Sequence, residues 1–194
     1  MKYTQIPTDT FKNIQLNAGI LVTDFDPTAE TITSGSIVGA TSGGISFTAT
    51  PEYVDFGEDI DNCPKNTMEL KKLDTWTATM SGTFATVTAS LVNSLLGAAD
   101  TATNKITPRN DVSESDFKTI WWVGDYSDIN TDGTSGKAGF VAIKLSNALS
   151  TGGFQLQSSD KEKGKFSFEF TAHYSIEAPD TVPFEIYVKA GSAS

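Results

Sequence analysis

The side chains that most often carry catalysis are scarce in this sequence. His173 is the only histidine among the 194 residues, which argues against a histidine-based triad and against a multi-histidine metal site. Cys63, the only cysteine, lies in an acidic segment that disfavours a reactive thiolate. Neighbouring carboxylates occur at 58–61, but a glycosidase requires two carboxylates placed across a cleft. The sequence therefore predicts no catalytic residues and no enzymatic activity.

One short motif has the spacing of a metal-binding loop. Asp128, Asn130 and Asp132, followed by Gly133, match the first half of a calcium-binding loop. The twelfth position, which requires a bidentate Glu, is Gly139 instead. Asp-Gly between two strands is also a frequent turn. A weak calcium site and an ordinary turn both stay open, and no other metal and no cofactor is predicted.

Two further groups of residues could bind ligands. The Gly-rich segment 35–44 lacks the lysine and the strand–loop–helix context of a phosphate-binding loop. Trp76, Trp121 and Trp122 could form a sugar-stacking surface. Trp76, however, alternates with Ala78 and a second apolar residue, and the other two lie in a strand that is apolar on both faces. We therefore interpret the tryptophans as core or interface residues.

The segment 165–176 is the most regular element that could position polar side chains. Apolar and polar residues alternate strictly along it, which predicts a long strand with one buried face. The alternating segment 153–157 precedes it across a charged loop, so the two together predict a β-hairpin. The polar face of the longer strand consists of Lys165, Ser167, Glu169, Thr171 and His173.

Other strands and one helix complete the predicted fold. The strands lie at 20–25, 30–38, 45–50, 75–80, 117–123, 139–145 and 184–188. A helix is predicted over 88–97, because Thr88 can cap it, its apolar residues form one stripe and Gly97 can end it. Since no βαβ rhythm occurs, we predict a mainly β protein, with a two-sheet β-sandwich or barrel-like fold of about eight strands and one flanking α-helix.

The remaining segments are predicted to be arms, turns and loops of a single domain over 1–194. Residues 1–19 form an N-terminal arm, Gly43 and Gly44 a turn, and 177–194 a C-terminal strand and tail. Residues 51–74 contain two prolines and are predicted to be a long loop, which usually has a function or is ordered by a partner. Its acidic residues include Glu52, Asp55, Glu58, Asp59 and Asp61.

Charge and composition narrow the classes of function. A formal net charge of −10 makes the protein a poor candidate for gripping a phosphate backbone, although nucleic acid could pass it without being held. No apolar run approaches the roughly 18 residues of a membrane span, and the first residues contain no signal-peptide core. With a single cysteine, these features predict folding in the cytoplasm and no membrane insertion. The protein is most simply explained as a structural building block.

Three stretches of the chain carry a family resemblance: 39–88, 121–128 (WWVGDYSD) and 152–175. They resemble the major tail proteins, or tail tube proteins, of long-tailed phages and prophages of Gram-positive bacteria. The resemblance implies a non-enzymatic virion protein whose hexameric rings stack into a hollow tube. One sheet of each subunit would join a continuous β-barrel around an acidic lumen, through which phage DNA passes to the host cell without sequence-specific binding.

The resemblance also implies roles for individual segments. The 51–74 loop matches, by position, the loop that reaches the next ring. Either Ser46, Thr48 and Thr50 or the polar residues of the 165–176 strand would face the lumen. Three lysines near the turn of the predicted hairpin depart from a uniformly acidic lumen. They are Lys161, Lys163 and Lys165.

The implied partners are other copies of the chain and the tape-measure, tail-terminator and baseplate or tip proteins. Assembly would take place in the host cytoplasm, and the final location would be the virion tail. Two alternatives stay open. One is another self-assembling tube or ring protein, such as the inner tube of a contractile system, and the other is a carbohydrate-binding β-sandwich module.

Overall fold

The computed structural model describes residues 6–7, 10, 14–33, 35–126 and 139–189. The fold is mainly β, as predicted, and the described residues include one α-helix. The strands are β1 (Gln15–Val22), β2 (Phe25–Asp26), β3 (Thr31–Ile32), β4 (Ile37–Gly39), β5 (Thr41–Asp55), β6 (Lys71–Phe84), β7 (Ala99–Ala102), β8 (Lys105–Pro108), β9 (Lys118–Tyr126), β10 (Phe140–Ser150), β11 (Gln155–Gln157), β12 (Lys165–Thr171) and β13 (Phe184–Lys189), and the helix is α1 (Ala89–Leu96).

Nine antiparallel strands form two packed layers that share β10. The first layer, sheet I, has the strand order β4-β1-β9-β10-β13. The second layer, sheet II, has the order β5-β6-β12-β11. The last residues of β10, Leu149 and Ser150, leave sheet I and pair with Thr171 and Phe170 of β12. The result is the predicted sandwich-like arrangement, with more strands than the eight expected, of which β5 and β6 are much longer than predicted.

The main core lies between the two sheets and is closed on one side by α1. Sheet I contributes buried residues such as Leu21 and Leu145, and sheet II contributes a row of phenylalanines that includes Phe168. Leu91 and Leu95 of α1 pack into the same core. Burial of this apolar area supplies most of the free energy that favours the two-layer arrangement.

The helix has the predicted extent because its ends are fixed locally. The hydroxyl of Thr88 accepts a hydrogen bond from the backbone N–H of Leu91 at 3.1 Å, which satisfies one of the free donors of the first turn. Gly97 follows the last helical residue with φ +74°, a conformation that favours glycine. The predicted 88–97 helix is therefore confirmed, caps included.

A second apolar cluster lies on the other face of sheet I. The hairpin of β2 and β3 places Phe25 against Trp121 and Phe140, with edge-to-face ring contacts at 5.6 and 5.3 Å. Val123 is buried in the same cluster. Strand β9 is therefore covered on both faces, which confirms the doubly apolar strand predicted at 117–123.

The 165–176 strand is shorter than predicted. The hairpin of β11 and β12 is confirmed, but β12 ends at Thr171. The backbone N–H of Ala172 still bonds to Ala78, and then the carbonyl of His173 accepts from the side-chain Nδ2 of Asn147 at 3.1 Å. The backbone N–H of His173 donates to the carbonyl of Ser146 in β10 at 3.4 Å, so at this point the chain turns from β6 towards β10 although the alternation continues in the sequence.

The predicted bounds of the 51–74 loop are wrong at both ends. Strand β5 continues to Asp55 and β6 begins at Lys71, so the connecting turn covers only 56–70. Pro51 is accommodated because β5 is an edge strand, where a missing N–H costs no ladder bond. Glu52 therefore lies in a strand.

Two smaller predictions are also wrong. The last residues of the predicted 1–19 arm belong to β1, which begins at Gln15. Gly43 and Gly44 do not form a turn but lie inside β5, where the register with β6 shifts between Thr41 and Ile45. The predicted C-terminal strand is confirmed as β13.

Candidate assembly surfaces

The two segments predicted as alternative lumen faces lie on one and the same surface. Across sheet II, Ser46 is opposite Ser81, and Ser81 is opposite Glu169. The next row joins Thr48, Thr79 and Thr171 in the same way. Directly opposed residues point to the same side of a sheet, so one polar surface runs across three strands. We call it the hydroxyl face: Ser46, Thr48, Thr50, Thr77, Thr79, Ser81, Thr83, Ser167, Glu169 and Thr171.

Strand β6 supplies the part of the hydroxyl face that the sequence prediction missed. Thr77, Thr79, Ser81 and Thr83 occupy every second position, between residues that point into the core. The same period-2 alternation that identified the other two strands could have found them. The pairing of β6 between β5 and β12 could not have been found in this way, because register depends on tertiary contacts.

The chemistry of the hydroxyl face is mainly that of neutral, hydrogen-bonding hydroxyls, with Glu169 as its one charged member. The hydroxyl of Thr151 lies 2.8 Å from the hydroxyl of Thr171 and donates to a carboxylate oxygen of Glu169 at 3.0 Å. Lys165 stands at the end of the same face. Such a surface can hold water and tolerate a polyanion, but it lacks the clustered cations that grip phosphates.

The reverse side of the same sheet is apolar. Phe47 is opposite Met80, and Met80 is opposite Phe170, and this row packs into the main core. Sheet II is therefore two-sided: its apolar side is already used by the fold, whereas its polar side is open to solvent or to a partner.

His173 is not part of the hydroxyl face. It lies beyond the end of β12, half-buried, with its Nδ1 3.2 Å from the carbonyl oxygen of Asn147. Its ring also makes an edge-to-face contact with Phe117 at 5.3 Å. These contacts give His173 a structural role at the point where the chain leaves sheet II.

The far end of the β5–β6 hairpin extends past the rest of sheet II. Strand β12 pairs with β6 only between Thr79 and Phe84. The last support for the ribbon is the backbone N–H of Trp76, which donates to the hydroxyl of Tyr174 at 3.0 Å. Beyond that point residues on both faces of the ribbon are exposed. We call residues 52–74 the hairpin tip.

The hairpin tip is internally ordered by one carboxylate. Asp55 accepts hydrogen bonds from the backbone N–H groups of Asn66 and Gly57, each at 2.9 Å. These bonds, with Asn66 first, hold the pKa of Asp55 below its ordinary value. Asp55 is therefore occupied within the turn, whereas Asp59 and Asp61 are exposed on it.

The hairpin tip also exposes apolar side chains to an unusual degree. Five large ones have exposed fractions between 47 and 79%: Tyr53, Phe56, Ile60, Met68 and Leu73. Lys71 and Lys72 lie over the rings of Tyr53 and Phe56 but do not bury them. A concentrated group of exposed apolar residues on a projecting element is typical of an interaction surface.

Sheet edges provide further sites of contact. Among the described strands, none pairs with the outer side of β5 or with the outer side of the short strand β11, and these are the two edges of sheet II. In sheet I the edges are β4 and β13. Long open edges are a liability in an isolated chain and a means of assembly in an oligomer.

The tryptophans form no open platform in the part of the chain that the structure describes. Trp121 is buried, and Trp76 contacts Phe184 edge-to-face at 5.5 Å. The indole N–H of Trp122 donates to the carbonyl of Ala18 at 2.9 Å. This placement agrees with the interpretation of the tryptophans as core residues and argues against a sugar-stacking surface.

The calcium candidate Asp128, Asn130 and Asp132 lies outside the described residues. Within the described ranges, no three His, Cys, Asp or Glu side chains are grouped in a way that could hold a metal ion. No helix in these ranges is long and apolar enough to cross a membrane.

Comparisons with known proteins give no family assignment. No protein-family model matches the sequence, and no curated protein is significantly similar to it. Function must therefore be argued from the surfaces themselves together with the family resemblance of the three stretches.

Proposed function

We propose that the protein is a structural subunit of a phage tail tube, in which rings of identical subunits stack into a hollow tube. The single observation that carries the proposal is the hydroxyl face of sheet II. It is a broad sheet surface of hydroxyl side chains with one carboxylate, Glu169, backed by the main core and ending in two edges that are unpaired among the described strands. The resemblance to tail tube proteins supplies the context in which such a surface has a use.

In this proposal sheet II is the part of each subunit that lines the lumen. The β5 edge of one subunit pairs with the β11 edge of the next, so the sheets close into a barrel. The hydroxyl face then points inward, where neutral hydroxyls and the carboxylate of Glu169 let DNA slide without being held. The first rows of this lining are those of Ser46 and Thr48.

The hairpin tip serves contacts between rings. It projects along the strand direction of sheet II, which would be close to the tube axis, and its exposed apolar residues would be buried against the neighbouring ring. The tape-measure, tail-terminator and baseplate or tip proteins are proposed as further partners at the lumen and at the two ends of the tube. The proposed location is the virion tail, after assembly in the host cytoplasm.

The test is assembly of the purified protein with and without the end of the hairpin tip. We expect rings and tubes of the full chain by negative-stain electron microscopy at high concentration. Replacing 56–70 by a two-residue Asn-Gly turn should leave a folded protein, because Asp55 and Lys71 are already opposite each other. This variant should form rings that do not stack. A folded full-length chain that stays monomeric in the presence of preformed tail tips would overturn the proposal.

A further inference from the structure

We propose that the lysine-bearing turn between β11 and β12 is the docking surface for the hairpin tip of a second copy of this chain. We call residues 158–165 the lysine turn. The inference rests on the proposed function, because stacked rings bring a second copy next to each tip. It identifies the surface of one copy that the projecting tip of another would contact. The inference is based on the positions, the charges and the shapes of the hairpin tip and the lysine turn.

The two segments lie at opposite ends of sheet II. At one end of β6, Phe84 is flanked by Phe166 of β12, and the last residue of the lysine turn, Lys165, is also the first residue of β12. At the other end, Lys71 is opposite Asp55, and the turn of the hairpin tip follows. One molecule therefore cannot bring its own tip to its own lysine turn. Contact between the two requires another copy placed head to tail.

Charge favours this contact. Residues 52–74 contain seven carboxylates and three lysines. The lysine turn contains Lys161, Lys163 and Lys165 against Asp160 and Glu162, in a chain whose net charge is −10. Lys161 lies 3.9 Å from Asp160, whereas Lys163 and Lys165 have no ion-pair partner among the described residues. Opposite charges on the two surfaces steer the approach and fix its direction.

Shape and apolar exposure favour the same contact. A groove of about 280 Å³ opens beside the lysine turn, lined by Ser42, Ala85, Glu162, Lys163, Gly164 and Lys165. Leu156, next to it on β11, has an exposed fraction of 56%. The tip offers Phe56, Ile60 and Met68 as apolar groups of matching kind. The tip thus presents apolar side chains among carboxylates, and the lysine turn presents lysines beside a groove and one exposed leucine, so the two surfaces can combine apolar contact with opposite charges.

A contact between two different patches of identical chains leaves a free patch on each partner. Each copy offers one tip and one lysine turn, so occupation of both gives a head-to-tail series of copies rather than a two-fold dimer, and this series is an open stack unless its rotation closes it into a ring. A nucleic acid ligand is the less favoured occupant, because Asp160 and Glu162 interrupt the lysines and leave no continuous basic patch.

The first test is a charge swap. Lys163→Glu with Lys165→Glu, or Asp59→Lys with Asp61→Lys, should each lower the yield of sedimenting tubes at low salt by about tenfold, while rings persist. Combining all four changes should restore tubes to within about twofold of the original chain. Lys105→Glu is the control for Lys163→Glu alone, because it makes an equal charge change at the exposed end of β8. It should leave the yield of tubes unchanged.

The second test uses the only cysteine of the chain, which lies in the hairpin tip. The unmodified chain can form only covalent dimers with a short bismaleimide, because each copy carries one thiol. Lys163→Cys adds a thiol at the proposed partner surface, so head-to-tail contact should give a ladder of trimers and longer species. Lys105→Cys is the control and should give no ladder.

The outcomes separate the two proposals. Tubes that form normally after reversal of both lysines, or dimers alone from Lys163→Cys, would overturn the docking surface and leave the tail tube proposal intact. A ladder of cross-linked species from a chain that never forms rings would support the docking surface and overturn the tail tube proposal. Reversal of the lysines that changes retention on DNA but not association of copies would also overturn the docking surface.

Discussion

Asp116 is the side chain that ties together the segment between α1 and β9. Both of its carboxylate oxygens accept from Nη2 of Arg109, at 2.6 and 2.7 Å, and one accepts from the backbone N–H of Ser113 at 2.8 Å. Its exposed side-chain fraction is only 10%. Arg109 is the only arginine in the sequence, so no other guanidinium can replace it. The carboxylate thus caps one short turn and at the same time binds Arg109, the residue that directly follows β8.

We expect Asp116→Asn to lower the free energy of unfolding by about 1 to 2 kcal/mol at pH 7, since a cap and a charged hydrogen bond are lost. The Ser113 N–H, followed by Arg109, lowers the pKa of Asp116 below its ordinary 3.8. Its stabilising contribution is therefore complete above that value and is lost as the pH falls through the lower pKa of the folded state.

Urea unfolding at pH 7 and at about pH 3 measures this contribution. The difference between Asp116→Asn and the original chain should shrink in acid. Asp111→Asn, an exposed neighbour, is the matched control and should change little at either pH. An equal difference at both pH values would mean that the carboxylate charge is not what stabilises this segment.

At the scale of single helices and strands, the sequence predicted those features that depend on residues close to them in the chain. The helix α1 was predictable with its ends, because Thr88 and Gly97 act within one turn of it. The hairpin of β11 and β12 was predictable from alternation and a polar turn. The end of β12 was not, because the contacts that follow its pairing with β6 come from Ser146 and Asn147 of β10, which local patterns in β12 do not reveal.

The same distinction explains the errors in β5. Pro51 and the pair Gly43 and Gly44 are signals of interruption in most strands. Here the strand is at an edge, so the missing N–H of Pro51 faces away from β6, and the glycines produce a bulge instead of a turn. Whether a strand is central or at an edge is a property of the whole sheet and cannot be read from its own residues.

The bulge in β5 leads to a prediction about its glycines. Gly44 has φ +85°, and a Cβ built on it would meet nothing within 4 Å, so the only cost of a side chain is conformational. We expect Gly44→Ala to lower the free energy of unfolding by about 1 to 2 kcal/mol, the penalty of the left-handed region for an L residue. Chemical denaturation measures it, with Ser42→Ala as the control on the same strand. Equal stability of the two variants would show that the bulge relaxes at no cost.

At the scale of the whole molecule, the sequence indicated two polar strands but not that they share one surface. Strand β6 joins them, and its pairing with β5 and β12 arises only when the core between the sheets closes. The molecule that results has a direction: an acidic tip at one end of sheet II, lysines at the other and a neutral hydroxyl face between them. An asymmetric subunit of this kind is suited to stacking in one orientation.

The final prediction tests whether the hydroxyl face becomes internal on assembly. Thr48→Cys, in a Cys63→Ser background, places one thiol in the middle of this exposed face. A bulky polyethylene glycol maleimide should label it readily in the monomer, since no core residue covers it. In assembled tubes we expect labelling to fall at least about tenfold, because the reagent can enter a narrow lumen only from its ends.

Thr101→Cys in the same background is the matched control, because Thr101 is exposed on the β7–β8 hairpin, outside sheet II. It should be labelled equally in monomers and in tubes. A small maleimide that diffuses freely should label Thr48→Cys in both states, which distinguishes a lumen from a buried subunit contact. Tubes in which Thr48→Cys reacts with the bulky reagent as fast as Thr101→Cys would place the hydroxyl face on the outside, and another surface would then have to line the lumen.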